Sequence, residues 1–504
     1  MGSSEKCELL RQLCHFLQLP LPNLSNMIAC SYRKIKLNFM NSVTVQQIFR
    51  AYDIRGIAMG DNAVLTADLA LAIGKATGTY LLRHGHRNLV CGRDGRLTSE
   101  ALQQAFIDGV LATGLNVCNI GLAVSPMLYF ASCQPEFDCG VNITASHNPK
   151  EYNGLKIVGD NAHSICGDEL KIIYEMMIAA DFLEGNGVYS ELDIWPRYRD
   201  FLIELVPVGK PISVVGDAAN GVAGAFLADL FAKMPNVEAN LLYTEVDGNF
   251  PNHEANPEDI KNMQAVIEAV GETKAQLGFG FDGDGDRVGM VDRDGTFYSA
   301  DLLLLVMVRD LLKRKPGSKV VFDVKCSKAL ENDIIQQGGV PLRSATGHSF
   351  IESRMRTEGA LIGGEISGHM FFAEDYFGYD DAFLAMLKLI AITAEEDGDF
   401  ASLLAGVPKL INTPEIKLAC PDGEKFLVIA YLKEYFAKRE WELLTIDGVF
   451  VSLDEQTWGA CRASNTSPNL TLRFEAPTSE RLEEVMAVFR EALASYPNLR
   501  LELG

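Results

Sequence analysis

The sequence predicts an α/β protein with mixed sheets: three related α/β domains followed by a smaller C-terminal α+β domain. Three observations lead there. The chain has 504 residues, which at about 150 residues per domain corresponds to about three or four domains. Three segments repeat one design, an apolar β-rich run ending at an Asp and followed by helix-compatible sequence: Asn88-Leu-Val-Cys-Gly-Arg-Asp94, Ile212-Ser-Val-Val-Gly-Asp217 and Lys319-Val-Val-Phe-Asp323. Short apolar strands alternating with amphipathic stretches such as 99–113 indicate α/β layers. After about Pro408 the pattern changes, with strand-like runs at 448–453 and 469–475 before a final helix at 479–495. The expected divisions are 44–192, 193–296, 297–408 and 409–504, preceded by an extension, 1–43.

Composition narrows the function. Hydrophobic residues make up 48% and charged residues 22% of the chain, as is usual for globular proteins. No run reaches the ~20 apolar residues of a membrane-spanning helix, so no membrane partner is expected. A formal net charge of −22 argues against nucleic acid, which is bound by clustered Lys and Arg. A small phosphorylated ligand stays compatible, because beyond a Debye length of ~8 Å distant carboxylates are screened. Eleven cysteines, scattered from Cys7 to Cys461 without a C-x-x-C pair, suit neither a zinc site nor a disulfide framework. Free thiols and a cytoplasmic location are expected. In the extension, Glu5, Glu8 and Arg11 spoil a secretory pattern and Lys6 a myristoylation pattern. Met40 is the expected start of the functional chain.

Four motifs carry chemistry. Thr144-Ala-Ser-His-Asn-Pro149 follows a strand-like run at 140–143. Asn-Pro forces a turn, so Ser146 is expected to be exposed at a strand end. Neighbours in an extended chain face opposite ways, which leaves His147 poorly placed to deprotonate it. No G-x-S-x-G elbow surrounds any serine. Ser146 needs another kind of activation.

Asp282-Gly-Asp-Gly-Asp-Arg287 supplies one. Three carboxylates at alternate positions repel when gathered, and the glycines let the backbone fold tightly. A hard divalent cation removes the conflict, and Mg²⁺ partnered by phosphate is the usual answer. An EF-hand is excluded, because Arg287 and Arg293 stand where it needs Gly and Glu. Gly278-x-Gly280-x-x-Gly283 matches the dinucleotide fingerprint, but its last glycine lies among carboxylates that would repel a pyrophosphate. No Walker A sequence occurs.

Gly364-Glu-Ile-Ser-Gly-His369 offers donors and acceptors for sugar hydroxyls. Arg462-Ala-Ser-Asn-Thr-Ser467 sets one cation among small donors, a composition that binds phosphate.

In this order the motifs resemble the α-D-phosphohexomutase family, most closely its phosphomannomutase/phosphoglucomutase branch. The resemblance begins at Ile48-Phe-Arg-Ala-Tyr-Asp-Ile-Arg-Gly56, passes through Gly92-Arg-Asp-Gly-Arg96 and covers all but the extension. Lys150 departs from the pattern, where many members have a second proline. The resemblance implies four domains around a central cleft, named for phosphoserine, metal, sugar and phosphate clamp. Ser146 resembles the phosphoserine, which also faces the metal, and Asp282, Asp284 and Asp286 resemble the Mg²⁺ ligands. Arg55, Lys156, Arg287 and Tyr52 resemble active-site residues, with Lys156 and His147 in proton transfer. Glu365 and Ser367 resemble contacts to the sugar 3- and 4-hydroxyls, with His348 and His369 nearby. Arg462, Ser464, Asn465 and Thr466 resemble the clamp on the non-reacting phosphate. The implied activity moves a phosphoryl group between O1 and O6 of mannose or glucose phosphates through a hexose 1,6-bisphosphate, and a monomer is favoured. Two rivals are an aminosugar-phosphate mutase, disfavoured by the likeness of Ile366 and His369 to the mannose/glucose branch, and a Mg²⁺-dependent phosphatase. A purely phosphosugar-binding protein would need no acidic triplet.

Overall fold

The computed structural model describes residues 43–464, 468–496 and 498–499. Met40 and the predicted clamp residues Asn465 and Thr466 lie outside the described residues.

Each marker segment becomes the central strand of a sheet. The first sheet runs β1 (Ile54–Ile57), β5 (Tyr152–Val158), β4 (Cys139–Ile143), β2 (Asn88–Arg93), β3 (Asn116–Leu122), β6 (Tyr189–Glu191). The second runs β11 (Phe297–Tyr298), β10 (Val288–Asp292), β9 (Leu277–Phe281), β7 (Ile212–Asp217), β8 (Val237–Leu242). The third is β13 (Val340–Ser344), β12 (Lys319–Asp323), β14 (Ile362–Gly364), β15 (Met370–Phe372). In all three the marker strand is flanked by parallel partners, and an antiparallel strand lies beyond one of them. The sheets are mixed, as expected.

The recurrent Asp has a local cause. Oδ1 of Asp94 accepts from the Arg96 N–H at 3.0 Å, that of Asp217 from Ala219 at 2.7 Å, and that of Asp323 from Lys325 at 3.1 Å. A side chain that caps the backbone two residues on turns the chain out of the sheet. One device thus starts three loops.

The last sheet is antiparallel: β16 (Ile411–Asn412) and β17 (Ile416–Ala419) pair with β21 (Asn469–Ala476), followed by β20 (Trp458–Ala463), β19 (Val449–Ser452) and β18 (Glu442–Leu444). The helices Asp422–Phe436 and Ser479–Leu493 pack on it. One apolar core runs from Val90 through Phe279 to Phe383, fusing the first three units, whereas the fourth has its own around Leu472 and Phe489. The third and fourth units meet through polar contacts: Ser327 Oγ donates to Glu475 at 2.9 Å, Lys328 to Glu442 at 2.8 Å, and the Thr346 N–H to Asp447 at 3.1 Å. No helix among the described residues is long and apolar enough to cross a membrane.

Within the fused core, Asp381 is 0% exposed. It accepts from the hydroxyls of Tyr198 and Tyr376 and caps the helix Ala382–Glu395 at the Leu384 N–H. Burial pushes its carboxyl up to about 6 despite those bonds. A carboxyl with a folded pKa above its unfolded value of ~3.9 binds more protons when folded. Its contribution is therefore complete below about pH 4 and lost as the pH rises to about 6, a change of roughly 2–3 kcal/mol. Urea midpoints measured across that range should fall in the wild type and stay flat, for this component, in Asp381→Asn. Equal slopes would refute the assignment.

Candidate active site

Ser146 follows β4 with φ 51° and is 1% exposed, so the expectation of an exposed serine is corrected. The second unit covers it, because the backbone of Gly283 lies so close that a Cβ there would sit 2.5 Å from the Ser146 carbonyl. The expected separation of Ser146 from His147 is corrected too. A left-handed residue interrupts the alternation of an extended chain, and His147 Nδ1 lies 3.2 Å from Ser146 Oγ. Burial, reinforced by the Arg287 and Arg55 cations, pushes this imidazole well below its usual range, so it is neutral. Arg55 donates to Asn148 Oδ1 at 2.8 Å and pairs with Asp53 at 2.5 Å, bracing the far side of the loop.

The acidic triplet occupies the turn between the antiparallel strands β9 and β10. Asp282, Asp284 and Asp286 are fully buried, and one oxygen from each lies within 4.8 Å of the others. Ser146 Oγ donates to Asp282 Oδ2 at 2.6 Å, joining serine and triplet. Lys156, on β5 beside the serine strand, donates to Asp284 Oδ2 at 2.8 Å and also pairs with Asp286. Ser125 Oγ donates to Asp284 Oδ2 at 2.7 Å. Burial and repulsion by Asp286 and Asp284 push Asp282 well above the usual carboxylate range. Against the same burial, Lys156 holds Asp286 far below it. Burial opposes the Lys156 ammonium, yet Asp284 and Asp286 hold it charged. Asp284 Oδ1 and Asp286 Oδ1 are buried without a hydrogen-bond partner among the described residues. An oxygen of Asp284 without a donor, and one of Asp286 met only by His369 Nδ1 at 3.6 Å, fit a hard divalent cation.

The sugar loop joins β14 to β15 and meets the triplet through an antiparallel bridge between Arg287 and His369. Arg287 Nε donates to His369 Nε2 at 2.9 Å, and His369 Nδ1 bonds Asp380 at 2.5 Å. Glu365 accepts from the Gly347 N–H at 2.5 Å and from Ser367 Oγ at 3.0 Å. His348 lies edge-on to Tyr52 of the first unit at 5.1 Å and 6.1 Å from the His369 ring. From the fourth unit, Arg462 Nε donates to Asp447 Oδ2 at 2.9 Å, the carboxylate that also holds Thr346 beside the sugar loop. The Ser464 carbonyl accepts from Lys425 at 2.6 Å. A cleft of about 650 Å³ opens between the second, third and fourth units, lined by Ser367, Glu258, Lys325, Glu415 and Arg473 among others.

Several functional side chains escape the sequence reading. Ser125 and Asp380 sit in no motif and are found only by what they hold. Lys325 is 7% exposed and lines the cleft; its nearness to the Asp323 turn was a signal. Arg96 ends Gly92-Arg-Asp-Gly-Arg96, whose sequence carries no cue to the contacts it makes.

A buried serine from the first unit, a carboxylate cluster from the second, and Arg55, Lys156 and Arg287 from these same two units make a site suited to phosphoryl transfer. Sequence models of phosphoglucomutase/phosphomannomutase match consecutive parts of the chain: α/β/α domain I at residues 46–184, domain II at 196–295, domain III at 299–410 and the C-terminal domain at 415–492. The chain belongs to the phosphoglucomutase/phosphomannomutase family, the α-D-phosphohexomutases. It is 40% identical to a phosphomannomutase/phosphoglucomutase of Pseudomonas aeruginosa, over 88% of this chain and 95% of that one. It is also 40% identical to a phosphoglucomutase of Neisseria gonorrhoeae, over 91% and 99%. A crystal structure of a phosphoglucomutase/phosphomannomutase family protein from Burkholderia thailandensis superposes with TM-score 0.85 at 36% identity, covering 91% of this chain and 99% of that one.

The geometry predicts that Asp286→Asn loses cation binding by at least roughly 100-fold, beyond the effect typical of outer-shell changes. Mn²⁺ titration followed by electron paramagnetic resonance reads this directly. Unchanged affinity would remove the triplet as the cation site.

Proposed function

We propose that the chain is a reversible hexose-phosphate mutase that exchanges a phosphoryl group between O1 and O6 of mannose and glucose phosphates. Phospho-Ser146 and a hexose 1,6-bisphosphate are its intermediates. The observation that carries this is Ser146 Oγ lying 2.6 Å from Asp282 in a buried triplet in which two carboxylate oxygens have no hydrogen-bond donor among the described residues. The names borne by relatives at 40% identity point the same way.

Asp282, Asp284, Asp286 and the oxygens on Ser146 would hold Mg²⁺, which supplies charge neutralisation for the transferring phosphoryl group. Arg287, oriented by His369, faces the same charge. Phosphoserine adds roughly −1.5 to −2 charges, and transfer depends more on alignment and neutralisation than on covalent chemistry. As phosphoserine donates, its Oγ–P bond breaks, a P–O bond to the free sugar hydroxyl forms, and the hydroxyl proton leaves. The neutral imidazole of His147 is our assignment for taking up that proton. Lys156, held charged by two carboxylates, suits donating a proton and fixing charge rather than accepting one. The bisphosphate then turns end for end, and its other phosphate returns to Ser146.

Either end of the sugar must therefore fit. Glu365 and Ser367 hold one another and are assigned to the 3- and 4-hydroxyls, which roughly exchange places on flipping. Arg462 and Ser464, with Asn465 and Thr466, are assigned to whichever phosphate is not reacting, and Tyr52, Arg55 and His348 to the cleft wall. This reading needs one phosphosugar at a time and no second macromolecule.

Coupled assays on mannose 1-phosphate and glucose 1-phosphate, with and without glucose 1,6-bisphosphate, test this. Both should turn over, the bisphosphate should activate, and Ser146→Ala should lose at least ~10³-fold in kcat. Full activity in Ser146→Ala would overturn the mechanism, release of free phosphate would favour a phosphatase, and preference for glucosamine phosphate would move the chain to the aminosugar branch.

A further inference from the structure

We propose that Arg96 is a positioning residue that fixes the left-handed backbone at Ser146 and so sets the direction in which the phosphoserine bond points. The inference rests on Ser146 carrying the phosphoryl group. Arg96 has no hydrogen bond to the Ser146 hydroxyl or to the residues assigned to the sugar. It acts through main-chain carbonyls.

A guanidinium has five N–H donors in a rigid plane, and here each has an acceptor. Nε donates to Asp94 Oδ2 at 3.1 Å. Nη1 donates to the carbonyls of Pro149 at 2.8 Å and Tyr152 at 3.1 Å. Nη2 donates to those of Ser146 at 2.7 Å and Asn148 at 2.6 Å. Four carbonyls of one loop thus converge on one cation that is 3% exposed. Without it the Ser146, Asn148 and Tyr152 carbonyls would lose the donor that gathers them, only the Pro149 carbonyl keeping the Tyr152 N–H at 3.0 Å, and the loop would relax.

That relaxation bears on Ser146 first. A non-glycine residue at positive φ holds its conformation only when its surroundings impose it. The Ser146 N–H is held by Thr144 Oγ1 at 3.0 Å and its carbonyl by Arg96. Arg96 is itself fixed from both sides. Asp94 is held by Ser99 Oγ at 2.5 Å and by the Arg96 N–H. On the other side the ring of Phe250, from the second unit, covers the guanidinium at 5.3 Å. The same Ser146 carbonyl abuts Gly283 of the acidic turn, so one anchor registers the serine against the triplet.

The assignment predicts a split in kinetics. Misplacing a reacting group by about 1 Å costs on the order of 10²-fold in rate, so Arg96→Gln should lose about that much kcat while KM for the sugar phosphate stays within about twofold. Arg96→Lys keeps the charge but has three donors on a flexible stem and should be nearly as slow. Wild-type kcat in Arg96→Lys would show that charge alone suffices and overturn the proposal, as would a parallel rise in KM. Ser99→Ala, which loosens Asp94 and leaves Arg96 in place, should lose kcat several-fold with KM unchanged. Should Arg96→Gln fail to fold by circular dichroism, Ser99→Ala decides alone, and unchanged kcat there refutes the idea. Intact mass and ³¹P NMR of the wild type after bisphosphate treatment separate the two readings: no phosphate on Ser146 defeats the phosphoserine mechanism itself. A phosphorylated wild type with an equally fast Arg96→Gln defeats only the positioning role.

Discussion

Three aspartates gathered within 4.8 Å of one another in the protein interior repel, and most of the site can be read as the set of contacts that make this gathering tolerable. Lys156 reaches two of the carboxylates from the neighbouring sheet, Ser125 hydrogen-bonds one, and Ser146 another. Arg287 leaves the same turn to meet the sugar loop. Each partner comes from outside the triplet, and most come from another unit. The shared apolar core of the first three units keeps those partners in register, since close-packed interiors do not deform gradually. Asp284 Oδ1 and Asp286 Oδ1 nevertheless lack a hydrogen-bond donor among the described residues. The protein supplies positive charge from Lys156 to assemble the cluster, and on the proposed mechanism a cation and a phosphate meet the remainder.

The fourth unit is attached differently. Its core is separate, and its contacts with the third unit are hydrogen bonds, ion pairs and the stacking of Arg343 on Phe450 at 4.4 Å. An interface of that kind can be remade at modest cost. On the proposed mechanism, such an interface suits a phosphate clamp that lets a bisphosphate turn over.

Much of this was legible in the sequence. The marker runs ending at Asp94, Asp217 and Asp323 are central strands because apolar β-branched runs buried on both faces read clearly, and the Asp caps recur for a local reason. The glycine-spaced carboxylates of Asp282, Asp284 and Asp286 do gather, as their tight spacing leads one to expect. What was not legible depends on contacts between units. Ser146 reads as an exposed loop serine because nothing in its neighbourhood encodes the Gly283 backbone packed over it. His147 reads as misdirected because alternation assumes extended backbone, and a positive φ at a serine leaves no mark in the sequence. Asp380 and Ser125 carry no pattern at all, since each is defined only by its partner in another segment.

On the proposed mechanism, the left-handed backbone at Ser146 also restricts which residue can bear the phosphoryl group. A threonine offers the same hydroxyl, and its phosphate has the same charge. Its branched Cβ, however, is poorly tolerated at positive φ, so the choice of serine is made by the main chain before any chemistry begins. Selection of the acceptor is in this sense conformational. The same turn that hides the hydroxyl from water also decides which alcohol may occupy it.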